Sequence, residues 1–281
     1  MAARKSSEAK KAMSRGEIIR WRFNEMLGMA EEINSYKSDH KDGLVQLLAE
    51  EKKYLRICGE KFMPVSVAVA TPLSGYGRGQ CDSLEKALRR FEGKKANSVD
   101  PETLKGKEER RLQSWGISMA LQNGRSLKNA FSEPLKEFED ILFALDEVSL
   151  GDSDHRNDEG LGASRCDLLC LAKKNSQWYP LVIELKYKRM GKGLIKQVNR
   201  YAIELRNYRK ELDPLLEAIT GKQIARGDIQ KMVIMPAVSK EQKNNPSVKK
   251  TYREYEEAGI HLVEYTTEPG FGLCPVAPLA G

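Results

Sequence analysis

The segment RCDLLCLAKKNSQWYPLVIELKYKR, residues 165–189, constrains the fold more than any other stretch of the chain. Two apolar runs, about 164–172 and 178–187, flank the polar linker AKKNSQ. Runs of this length, rich in Leu, Val and Ile and separated by turn-forming residues, predict two buried strands joined as a hairpin. Buried strands exclude charge unless it is compensated, yet this hairpin carries Asp167, Glu184 and Lys186. Successive side chains on a strand point to opposite faces. Glu184 and Lys186 therefore share a face, while Ile183, Leu185 and Tyr187 turn the other way into apolar packing. Antiparallel pairing across the turn brings Asp167, with Leu168 to Leu171 behind it, toward Glu184. The expected product is two carboxylates and one ammonium clustered at the edge of a sheet.

Crowded carboxylates repel unless a cation sits between them. Mg²⁺ meets that need with one or two carboxylates, waters and phosphate oxygens. Such an ion acidifies water and neutralises charge on a phosphoryl centre, and a neighbouring lysine orients the nucleophile or stabilises the transition state. Cation, water and ammonium together make a phosphodiester-cleaving site.

Asp167 followed by VIELK at 182–186 resembles the motif of the PD-(D/E)xK nuclease superfamily, which includes restriction enzymes, RecB-type nuclease domains and Holliday junction resolvases. Glu184 lies 17 positions after Asp167, and QVNRY at 197–201 supplies the Q-x-x-x-Y that often follows in that family. The resemblance covers roughly residues 127–240 and implies a restriction-endonuclease-like α/β fold, a mixed sheet with an αβββαβ core. It implies that Asp167, Glu184 and the backbone carbonyl of Leu185 bind Mg²⁺ or Mn²⁺. Lys186 would be the lysine of the tripeptide, and Gln197 and Tyr201 would contact the site or the DNA backbone. The family often adds a glutamate from the first core helix. Glu133, Glu137 and Glu139 are the candidates, and helical phase places Glu139 nearest the apolar face; Asp158 and Glu159 in the preceding loop are alternatives. The Pro that usually precedes the Asp is Cys166 here.

The rest of the chain divides into a mainly helical region, 1–125, and the nuclease-like domain, 126–281. The first region opens with a basic tail, 1–14, followed by helices expected at 16–36 and 41–62, a strand at 63–73 and a capped helix after the glycine-rich SGYGRGQ. Residues 92–110 are polar and lysine-rich and read as a linker, with a short helix at 111–126. LKNAFSEPLKEFEDILFALDEVSLG, 127–151, reads as an amphipathic helix, because Phe131, Leu135, Phe138, Leu142 and Leu145 share one helical face. After the hairpin come a long basic helix at 191–220, strands at 231–239 and 259–266, and a helix between them.

Forty-seven Lys and Arg against 40 Asp and Glu give a net charge of +7. A basic balance favours polyanionic partners. Lys188, Arg189, Lys192, Lys196 and Arg200, at and beyond the hairpin's end, are suited to phosphate contacts. The expected partner is DNA, although nothing in the sequence separates DNA from RNA. A homodimer fits a protein that cuts two strands. The competing reading is a non-catalytic nucleic-acid-binding or assembly protein on a nuclease-like scaffold.

Five cysteines without a C-x-x-C point to a reducing compartment, and three histidines give little support to a zinc site. No apolar run is long enough to cross a membrane, and a cytoplasmic location is expected. SGYGRGQ lacks the G-K-[ST] of a P-loop. GDSDHRNDEG breaks the EF-hand spacing at Arg156. No G-x-S-x-G is present.

Overall fold

The computed structural model describes residues 13–39, 53–58, 61–68, 71–74, 81–92, 108–128, 137–149, 165–188, 192–266 and 272–275. Residues 1–12 of the basic tail, the linker core 93–107, the glycine-rich turn 75–80 and the polar loop 150–164 lie outside them. In chain order the elements are α1 (Arg15–Asp39), β1 (Lys53–Cys58), β2 (Lys61–Ala68), β3 (Thr71–Ser74), α2 (Leu84–Glu92), α3 (Glu108–Gln122), β4 (Asp140–Ser149), β5 (Arg165–Lys174) and β6 (Gln177–Leu185). They continue with α4 (Lys192–Asn207), α5 (Arg209–Thr220), β7 (Gln230–Pro236), α6 (Lys240–Lys243), α7 (Pro246–Glu257), β8 (His261–Thr266) and β9 (Gly272–Pro275).

The protein is α/β. Its main sheet is mixed, with strand order β4-β5-β6-β7-β8-β9. The β4, β5 and β6 strands form an antiparallel meander, while β6, β7 and β8 run parallel. Parallel neighbours need crossover connections. The α4–α5 pair supplies one and the α6–α7 pair the other. Both faces of the sheet are covered, which explains the near-continuous apolar strands. Leu112, Ile117 and Ala120 of α3 pack against Phe143, Leu168, Cys170, Ile183 and Ile234 on one face. On the other face, Leu169, Leu171 and Val182 join residues of α1, α4 and α5.

The hairpin forms as its sequence requires. The β5 and β6 strands pair from Lys174↔Gln177 to Leu168↔Ile183 across a two-residue turn. Asn175 and Ser176 have φ of 50° and 61°, the left-handed backbone that tight hairpin turns favour. The strands at 230–236 and 261–266 and the helix at 246–257 also match expectation.

Three readings are corrected. Within 127–151, Asp140–Ser149 is the strand β4. Ile141 and Phe143 face α3, while Leu142, Leu145 and Val148 face the opposite core. A strand buried on both faces is apolar at successive positions, so helix-like spacings arise within it by coincidence. Within 41–62, Lys53–Cys58 is the strand β1, whose buried Leu55 and Ile57 alternate with period two. The N-terminal region therefore carries a three-stranded antiparallel sheet, β1-β2-β3, as well as helices. The long helix expected at 191–220 is two helices. They part at Tyr208, whose N–H bonds the Leu205 carbonyl three residues back.

Candidate active site

The β5–β6 register, continued one step past Leu168↔Ile183, sets Asp167 opposite Glu184. Both stand at the end of the hairpin away from its turn. The main-chain N–H of Leu185 donates to Asp167 Oδ2 at 2.8 Å, which ties the carboxylate to the neighbouring strand. Glu184 is 2 % exposed. Its Oε1 accepts from Lys186 Nζ at 2.7 Å and from Gln197 Nε2 at 2.7 Å. Its Oε2 is buried with no hydrogen-bond partner among the described residues.

The α4 helix supplies the cover over this pair. Gln197 and Tyr201 are one turn apart and face β6 together. The Gln197 amide spends its second hydrogen on Tyr201 Oη at 2.7 Å, leaving the phenol's own hydrogen to donate. The sequence pattern thus brings together five residues: Asp167, Glu184, Lys186, Gln197 and Tyr201.

A sixth member comes from α3. Glu109 Oε1 accepts from Lys186 Nζ at 2.8 Å, so the ammonium bridges two carboxylates. Glu109 was hidden in sequence because it falls in the polar stretch read as a linker. The available signal was the Lys/Glu-rich start of a helical run ending in the apolar Leu112–Leu121.

The site does not include Glu139. Glu139 Oε1 accepts from the N–H of Ser176 at 2.7 Å and its carboxylate pairs with Lys173, so it braces the hairpin turn at the opposite end of β5. The expected helix that would have aimed it inward does not exist there. Glu137 pairs with Lys174 and His261; Glu133, Asp158 and Glu159 lie outside the described residues. Tyr187, expected to pack inward, is 39 % exposed, with the Lys188 ammonium 5.1 Å from its ring centroid. Lys196 and Arg200 are exposed on α4. Arg189 lies outside the described residues, as does the side chain of Lys192.

Burial and mutual repulsion dominate the electrostatics. Burial, and then the Glu184 charge, push the Asp167 carboxyl well above its ordinary range. Burial pushes Glu184 up to about 7 against the pull of Lys186. For Lys186 burial acts downward, but Glu184 and Asp167 prevail and hold it firmly cationic. Burial and Glu184 keep the Tyr201 phenol protonated. Cys166 sits fully buried beside the acids. Burial and then the charges of Glu184 and Asp167 raise its thiol, which excludes it as a nucleophile.

These groups fit a divalent cation. When ionised, Asp167, Glu184 and Glu109 outnumber the Lys186 ammonium that pairs with them, and among the described residues Glu184 Oε2 is a buried acceptor with no hydrogen-bond partner. Among the described residues no set of three or more His, Cys, Asp or Glu side chains converges to hold a metal. An ion here would have two carboxylates from the chain, Asp167 and Glu184, which is as many as Mg²⁺ commonly takes from a protein.

Comparisons of the chain with protein-family models, curated proteins and solved structures find no match. Among the described residues no helix is long and apolar enough to cross a membrane.

Proposed function

We propose that this chain is a metal-dependent nuclease that hydrolyses phosphodiester bonds of DNA. One observation carries the reading: Asp167 and Glu184 stand side by side on adjacent strands, with Lys186 bonded to Glu184 at 2.7 Å. A solvated edge strand would turn these charges to water, whereas Glu184 is 2 % exposed. The order helix, three strands, helices, strand over α3 to β7 supports a restriction-endonuclease-like core.

Asp167 and Glu184, with the Leu185 carbonyl, would hold Mg²⁺ or Mn²⁺. When bound, the ion supplies an acidified water and positive charge at the scissile phosphate. Lys186, cationic and gripped by two carboxylates, orients the attacking water and neutralises charge as the 3′ oxygen leaves. Gln197 donates to Glu184 Oε1 and to Tyr201 Oη, and so fixes the carboxylate that would hold the ion. Lys196 and Arg200 lie on the solvent side of α4 and contact phosphates along the strand. A cytoplasmic location and action in DNA defence, repair or recombination belong to the same proposal. So does a homodimer that places one site on each strand.

The test is cleavage of supercoiled and linear DNA with Mg²⁺, Mn²⁺ or EDTA, with Glu184→Ala beside the wild type. Metal-dependent cutting that disappears in the variant is the expected result. DNA retention in both proteins, weakening with salt and never accompanied by cutting, replaces the reading with that of a binding scaffold.

A further inference from the structure

Gln113 is 3 % exposed, one of four buried polar or charged side chains among the described residues. A buried amide is costly unless its hydrogen bonds are made. Gln113 lies one turn after Glu109 on α3, so both project from the same face of the helix. Glu109 reaches Lys186. Gln113 Nε2 reaches two other partners: the main-chain carbonyl of Asp167 at 3.2 Å and Glu147 Oε1 at 3.4 Å. An amide nitrogen has two hydrogens, one for each.

The local backbone gives this contact its weight. The β4–β5 pairing includes Asp146↔Leu168 and Val148↔Cys166, but not Glu147 with Asp167 between them. Glu147 has φ of 52°, a left-handed conformation that is unfavourable for a residue with a Cβ and is found here inside a strand. Such strain persists where surrounding structure fixes it, and it gathers at functional sites. Here the Glu147 carboxylate is held from two sides, by Gln113 and by Arg165 Nη1 at 3.5 Å. Where the strand ladder skips the row of Asp167, the α3 amide links the two strands.

We propose that Gln113 is a positioning residue of the metal site. It fixes the main chain of Asp167, and Glu147 in its left-handed turn holds the amide on target. The Asp167 carboxylate, pinned by the Leu185 N–H, is thereby set for the cation before the cation arrives. This rests on the nuclease reading above.

Outer partners of metal ligands typically contribute about 10- to 100-fold to metal affinity or activity. The test is calorimetric Mn²⁺ titration of the full chain without DNA, beside Mg²⁺-dependent cleavage, for wild type, Gln113→Met and Glu147→Ala. Gln113→Met is expected to raise the Mn²⁺ Kd about tenfold and to raise the Mg²⁺ concentration for half-maximal cleavage in parallel. KM for DNA and the melting temperature in EDTA should stay unchanged. Should Gln113→Met melt early, Glu147→Ala, which leaves the amide in place and removes its anchor, must still weaken Mn²⁺ by about threefold, a smaller share of the same effect. Wild-type Mn²⁺ affinity in both variants overturns the positioning role while leaving the nuclease intact. A wild-type chain that neither binds Mn²⁺ nor cuts DNA removes both readings together.

Discussion

Glu109 Oε1 lies 2.8 Å from Lys186 Nζ although 77 residues separate the two in the chain. The α3 helix therefore contributes directly to the charge cluster of the hairpin. The ammonium sits between this carboxylate and Glu184, so its place is set from two elements and its charge is held by both.

For the proposed nuclease, removing the charge of Lys186 should separate metal binding from turnover. Lys186→Met should lower the rate of Mg²⁺-dependent DNA cleavage by about 10²- to 10³-fold, the size of a lost transition-state contact. Mn²⁺ binding measured by calorimetry should persist. Cleavage at the wild-type rate would remove Lys186 from the mechanism.

The structure and the sequence disagree on the helix glutamate, and a pair of variants decides between them. Glu109→Gln leaves Lys186 with one anchor and is expected to slow cleavage about tenfold, as the loss of a group that orients a catalytic side chain does. Glu139→Gln, at the far end of the hairpin, should cut like the wild type. The opposite ranking in a steady-state assay would restore Glu139 to the site.

The raised carboxyl of Glu184 has a definite sign in stability. Below its ordinary value of 4.5 both the folded and unfolded chains hold the proton, and the shift has no effect. As pH rises from 4.5 toward 7, the unfolded chain releases the proton while the folded one retains it, so folding is progressively disfavoured. The loss is about 3 kcal/mol for a shift of this size, in which the opposing pull of Lys186 is already included. The melting temperature of metal-free protein should therefore fall between pH 5 and 7 more steeply in the wild type than in Glu184→Gln. Parallel profiles would show that the burial of Glu184 costs nothing.

Glu147 reverses the usual ranking of small residues. Ala normally outranks Gly within regular structure, by about 0.5–1 kcal/mol. At φ of 52° the order inverts, and Glu147→Gly should be more stable than Glu147→Ala by about 1 kcal/mol in urea denaturation. Equal stabilities would mean that the backbone relaxes freely there.

Phosphate contact by α4 is read from salt dependence. The double variant Lys196→Ala with Arg200→Ala should weaken DNA binding and reduce the slope of log Kd against log salt by about 2, one for each lost contact. Mn²⁺ affinity should not move. An unchanged slope would place the DNA elsewhere on the surface.

What was legible in the sequence follows from where the signal is local. The β5–β6 hairpin could be read because its turn, alternation and charges lie within 25 residues, and the i, i+4 spacing of Gln197 and Tyr201 fixes their shared face whatever the fold. The β4 strand could not be read, because its burial on two faces depends on α3 and on the α1–α5 layer, which are distant in sequence. That error carried Glu139 with it. Glu109 and Gln113 were invisible for a related reason. A helix that begins in a lysine-rich polar stretch shows its role only when its first turns are seen against the end of the sheet.

The two-residue turn at Asn175 and Ser176 also limits how this chain can change length. Seven steps lead back from Lys174 to Asp167 and seven lead forward from Gln177 to Glu184, so the meeting of the two acids is a matter of parity. Exposed hairpin tips are ordinarily where proteins gain and lose residues most freely. Here one residue inserted or deleted must be absorbed by a three-residue turn or a bulge, because a strand that slips by one residue turns its acid to the opposite face. Exchanging the letters of the turn for Gly, Asn or Asp leaves this pairing alone, whereas an odd change in its length puts at risk a register that matters at acids remote from the tip.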